Sequence, residues 1–144
     1  MKFSTGLYSG VATFDSNATP STGVTRDSDG QSEFTTVTTE FLDVTGQITK
    51  PISTVTSTYT IGEDDSTILA DATSAALAVN LPPASANAGR ILTVKKIDSV
   101  TGHAVTITPN GTDTLDGAST KVITTQWQVV TVQAEGSVWY VIGN

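Results

Sequence analysis

The chain has 144 residues, a net charge of −7 and no cysteine, which excludes disulfides, thiolate metal sites and cysteine nucleophiles. Seven Lys and Arg stand against fourteen Asp and Glu, and no basic cluster exceeds Lys95-Lys96, so nucleic acid finds no electrostatic footprint. Hydrophobic residues make up 38 % and charged residues 15 %; Thr and Ser fill the difference, and β-branched Thr suits a pleated, half-exposed surface.

Residues 1–33 carry scattered anchors (Phe3, Leu7, Tyr8, Val11, Phe14, Val24) among Ser, Thr, Gly, Asn and Asp, with no sustained period. Such a segment cannot bury enough apolar surface to fold by itself, yet its aromatic residues separate it from a solvated linker. It reads as an extended arm that orders against something else. Residues 34–55 are more strand-like, and Pro51 marks an edge strand or an unpaired connection. The pattern places a boundary at residue 55, with an arm and edge strands over 1–55 and a folded domain over 56–144.

Beyond that boundary the turn signals become dense. Strands are predicted at Thr58–Ile61 and Thr67–Leu69, and at Leu77, Val79 and Leu81, which share one face until Pro82-Pro83. Further strands are expected at Ile91–Ile97, with Leu92 and Val94 on one face, at Val105–Thr108, Lys121–Thr124, Trp127–Ala134 and Ser137–Ile142. Pro109-Asn110-Gly111, Asp116-Gly117 and Glu135-Gly136 supply turns. About eight short strands at this spacing predict an all-β fold, a small antiparallel β-sandwich or barrel with an extended N-terminal arm. The last two strands are apolar on both faces, whereas a strand with one wet face alternates. A chain this small has few elements to cover the second face, so self-association is expected, with Trp127, Val129, Trp139 and Val141 as interface residues.

From residue 58 the sequence resembles a β-domain of bacteriophage virion proteins, found near the ends of tail fibres and in small surface proteins. The likeness rests on Tyr59-Thr60-Ile61, Thr67 to Thr73, Val79-Asn80-Leu81-Pro82, and Gly89-Arg90 leading to Thr93–Asp98. It continues through Val105–Gly111, Asp113, Asp116-Gly117 and Gly136–Ile142. The resemblance implies a compact, usually trimeric domain displayed on a virus particle. These pieces are turn and core chemistry, so they mark a fold more than an activity. Fibre proteins place the domain after a long shaft; here 55 residues precede it, spanning at most roughly 180 Å when extended, which suits an arm across a capsid surface.

Other constellations favour structural roles. Asp27-Ser28-Asp29-Gly30-Gln31-Ser32-Glu33 has the acidic alternation of a calcium loop but lacks a third oxygen ligand before the Gly and the closing Glu. Glu63-Asp64-Asp65 reads as a solvated turn rather than a cation site. His103, the single His, has no sequence-evident nucleophile or orienting carboxylate. Asp113 and Asp116 sit in a Gly-bounded turn, where Asp bonds its own backbone, rather than as a glycosidase pair. Asn17-Ala18-Thr19 and Asn110-Gly111-Thr112 match the glycosylation pattern, but Met1–Gly6 lacks the apolar stretch of a secretion signal.

The expected function is therefore a non-enzymatic phage virion protein without metal or cofactor. It decorates and cements the capsid as a homotrimer, made in the host cytoplasm and displayed on the virion surface. Its partners are itself and the major capsid protein, with no nucleic acid and no membrane; no apolar run approaches the ~20 residues of a span. Phe3, Leu7, Tyr8, Val11 and Phe14 are the expected capsid contacts. The rival is a short tail-fibre or tip protein that binds a host surface glycan. It would need exposed aromatic residues on loops at one end, and the loops at 84–89, 99–104 and 110–119 carry none.

Overall fold

The computed structural model describes residues 47–144. Runs of alternating apolar and polar residues, each stopped by Gly, Pro or Asp, become strands β1 (Ile52–Val55), β2 (Tyr59–Thr60), β3 (Thr67–Ala70), β4 (Leu77–Asn80) and β5 (Ile91–Lys96). The second half adds β6 (Val105–Thr108), β7 (Thr114–Leu115), β8 (Lys121–Ile123), β9 (Val129–Glu135) and β10 (Val138–Gly143). One 3₁₀ turn, Ala84–Ala86, interrupts this all-β fold.

The strands form a six-stranded sheet, ordered β1-β3-β5-β9-β10-β7, and a four-stranded sheet, ordered β2-β4-β6-β8. From β1 to β8 the chain alternates between the two. Consecutive strands therefore lie in different sheets, and β1, β3 and β5 run parallel, as do β2, β4 and β6. This overturns the antiparallel expectation: five of the eight strand pairings are parallel and three antiparallel. Parallel neighbours need a crossover of about a dozen residues or more. Here each crossover is made through a strand of the other sheet, so turns that read locally as hairpins carry the chain between sheets.

The antiparallel pairings β5–β9 and β9–β10 close the six-stranded sheet. The β9–β10 link has Gly136 at φ +59° as its first residue, where a two-residue type II′ turn favours Gly. Asp116 and Gly117, at φ +50° and +84°, join Leu115 to Ala118 as a primed turn. Strand β1 lies before the boundary drawn at residue 55, yet it pairs with β3 along its whole length at the sheet edge. Pro51 directly precedes it, a position that costs no ladder bond.

One apolar cluster unites the inner faces: Ile68, Leu92, Val94, Val130, Val132 and Trp139 from the large sheet, Leu77, Val79, Val105, Ile107 and Ile123 from the small one. At its edge, where β5 ends, lies an ion pair covered from solvent. Lys96, wholly buried, places its Nζ 2.6 and 2.7 Å from the Asp98 carboxylate oxygens and 2.8 Å from the His103 carbonyl. Asp98 also accepts the N–H groups of Ala72 (2.7 Å) and Val100 (3.0 Å). Burial pushes its carboxyl pKa up, but the Lys96 ammonium and these two N–H donors outweigh burial and hold it below the ordinary 3.8. Every ionic and hydrogen-bonding group of the pair is thereby satisfied, as a low-dielectric site requires.

Candidate functional site: the open face of the six-stranded sheet

Strand alternation gives the large sheet an inner face in the core and an outer face. The registers align the outer positions in rows: Ile91–Gln133–Tyr140 near the β9–β10 turn, Ile52–Thr67–Thr93–Thr131 in the middle, and Thr54–Leu69–Lys95–Val129 at the far end. Ile142 joins the same face where the register shifts between Val141 and Gly143. Ile52, Ile91, Tyr140 and Ile142 are all exposed, and the Thr93 and Thr131 hydroxyls meet at 3.3 Å between the apolar groups. In these rows Lys95 is the single charge, and Glu135 stands at the turn end of β9. Parallel strands are usually covered on both faces; here the described residues cover one.

Trp127 stands at the far end of this face. It is the third residue of a turn closed by Gln128 N–H to the Thr125 carbonyl at 3.2 Å, and its φ is +67°. Type II turns favour Gly or Asn there. Its N–H donates to the Lys96 carbonyl at 2.8 Å, and its ring lies beneath the Lys95 ammonium, 5.4 Å from the centroid. The indole is 59 % exposed.

At the opposite end, a cleft of about 550 Å³ is lined by Ala88, Gly89, Gln133, Glu135, Tyr140 and Ile142 among others. Backbone bonds fix its wall: Gly89 N–H to the Ala134 carbonyl at 2.8 Å and Ala134 N–H to the Arg90 carbonyl at 3.2 Å. The Arg90 guanidinium locks the neighbouring turn by donating to the carbonyls of Gly62 (2.6 Å), Glu63 (3.0 Å) and Asp65 (2.7 Å). The Asp65 carboxylate accepts from Tyr59 Oη (2.7 Å), Gly62 N–H (2.9 Å) and Ser53 Oγ (3.1 Å). Burial raises its pKa, but these donors and Arg90 together hold it below the ordinary value. The same hydrogen bond to Asp65, with burial and the carboxylate charge, raises the pKa of Tyr59.

The expected interface residues divide. Trp127 and Val129 lie on the outer side. Trp139 and Val141 do not, and this corrects their assignment: Trp139 pairs with Ala134 and Val141 with Val132, which places both on the core side. Trp139 is wholly buried, and its Nε1 donates to the Pro82 carbonyl at 3.2 Å. Tyr140 and Ile142 take their place on the open face. Phe3, Leu7, Tyr8, Val11 and Phe14, like Asp27–Glu33, lie outside the described residues.

The other constellations are absorbed locally. Asp113 accepts the Ala84 N–H at 2.8 Å and Asp116 the Val141 N–H at 3.1 Å, so one carboxylate ties its loop to the 3₁₀ turn and the other ties its turn to β10. His103 Nδ1 meets the Ala72 carbonyl at 2.9 Å, beside the Asp98 cluster. Among the described residues, no group of three or more His, Asp or Glu has the arrangement of a metal site, and no helix is long and apolar enough to cross a membrane. No family model and no curated protein matches the chain.

Proposed function

We propose that this protein is a structural component of a phage virion surface that decorates and cements the capsid. It acts as a homotrimer of two-layer β-sandwich domains, and its N-terminal arm docks on the major capsid protein. One observation carries the reading: a chain of net charge −7 has a broad sheet face with one charge in its rows, lined by Ile, Leu, Val, Tyr and Thr. Copies of an acidic protein repel one another, and a face whose carboxylate stands only at one end, at Glu135, is where they meet at least cost. Large exposed apolar patches mark interaction sites, and the resemblance of residues 58–142 to virion β-domains supplies the setting.

The mechanism is cementing by avidity. Three arms on one trimer reach neighbouring capsid subunits, so contacts that are weak singly hold together. Sedimentation of the full chain should give one species of three subunits, and electron microscopy of intact particles should locate it on the shell. The double substitution Phe3→Ala with Tyr8→Ala should weaken capsid binding and leave the trimer intact. A chain that stays monomeric at micromolar concentration refutes self-association; full capsid occupancy by the double variant refutes the docking role of these anchors.

A further inference from the structure

The open face ends in a projecting side chain at one extreme and a cleft at the other, and we propose that they fit each other between copies. The Trp127 ring of one copy seats in the cleft lined by Tyr140, Ile142 and Glu135 of the next, with Lys95 of the first facing Glu135 of the second. The proposal rests on the self-association reading and specifies its contact.

Three observations converge. First, the domain holds Trp127 in a conformation that L side chains rarely adopt, φ +67°, and gains little from it internally. Beyond the Lys95 ammonium at 5.4 Å, more than half of the residue stays exposed. The turn is nevertheless pinned, by its own two backbone bonds and by Gln126 Nε2 donating to the Ile97 carbonyl at 3.0 Å. Backbone strain enforced by its surroundings clusters at functional sites and ligand clamps, and Trp is among the residues enriched as interface anchors.

Second, the cleft matches in character and has room to spare. Its volume of about 550 Å³, in the range of small-ligand clefts, is more than an indole ring needs. Tyr140 and Ile142 form an exposed apolar wall, and the Ala88-Gly89 backbone closes one side. Third, the charges are complementary. Lys95 travels with Trp127, Glu135 lines the cleft, and neither forms an ion pair with another described residue.

Knob and cleft cannot meet within one copy. Trp127 precedes β9, whereas Tyr140 pairs with Gln133 near its end; six residues at ~3.3 Å put them roughly 20 Å apart. The contact is therefore between copies: a two-fold pair would make it twice, whereas a head-to-tail arrangement makes it once per neighbour and closes into a ring when the rotation permits, which is the arrangement the trimer reading requires. Three copies, each giving a knob and receiving one, make the trimer. The threonine row between the two ends opposes no charge to the approach.

The test uses the absence of cysteine from the chain. The full-length double variant Trp127→Cys with Tyr140→Cys carries two thiols too far apart to pair internally, because a disulfide needs Cα atoms within about 7 Å. Oxidation should yield covalent trimers on a denaturing gel, and each single variant should remain unlinked. Independently, Lys95→Glu and Glu135→Lys should each raise the concentration at which the trimer dissociates at least about tenfold, and their combination should restore it toward wild type. Circular dichroism confirms the fold of each variant. Linked dimers alone overturn the head-to-tail ring. A wild-type trimer that neither cross-links nor responds to the charge reversals overturns this contact and leaves the trimer standing. A wild-type monomer overturns both.

Discussion

Replacing Asp98 by Ala isolates the buried ion pair at the edge of the core. In the native domain the Lys96 ammonium has three acceptors within 2.8 Å, two of them the Asp98 oxygens. In Asp98→Ala it keeps the His103 carbonyl alone, and its side chain has no exposed surface through which water could compensate. Breaking a buried pair by removing one partner costs about 3–5 kcal/mol. The N–H groups of Ala72 and Val100 also lose their acceptor, which tends toward the upper end of that range. For a domain of this size, 1 kcal/mol moves the melting temperature by about 4–8 °C, so a fall of about 12–40 °C is expected. Thermal and urea denaturation at one fixed protein concentration measure it, since self-association adds stability of its own. A fall below about 4 °C, the scale of an exposed pair, refutes the assignment of Lys96 and Asp98 to a dry site.

Acid should act through the same carboxylate and through Asp65. Both have folded pKa values below 3.8, so their stabilisation is complete above that value and is lost as the pH falls through the folded values; urea midpoints measured downward from pH 5 should decline, less steeply in Asp98→Ala. Trp139→Ala should cost about 3–5 kcal/mol by emptying the core beside Pro82, read as a lowered urea midpoint. Arg90→Lys should cost about 1.5–3 kcal/mol, because a single ammonium cannot keep both the carbonyl cluster that Nη2 meets and the Asn87 Oδ1 that Nη1 meets at 2.8 Å; an unchanged melting temperature would show that the 62–65 turn holds itself. Trp127→Gly removes about 1–2 kcal/mol of left-handed backbone cost, so the dissociated chain should resist urea better although its trimer is weaker.

Much of this fold is written in local chemistry. Leu77, Val79 and Leu81 at period 2, ended by two prolines, specify β4 and its buried face without reference to any neighbour. Asp116-Gly117 and Gly136 specify reversals because few residues tolerate a positive φ. The buried pair was also within reach: counting by two from Leu92 and Val94 lands on Lys96 and then Asp98, so the period points both toward the core although their charge argues for solvent. What local chemistry could not supply was pairing. Whether a turn returns the chain to its own sheet or delivers it to the opposite one depends on which distant strand completes the ladder, and parallel neighbours such as β3 and β5 are twenty residues apart. On β10, where Val138, Trp139, Tyr140, Val141 and Ile142 are apolar without alternation, either face could be the buried one. The register with β9 decided it: opposite Ala134, Trp139 fills the space above a small residue in the core, and Tyr140 turns outward onto the face proposed as the interface.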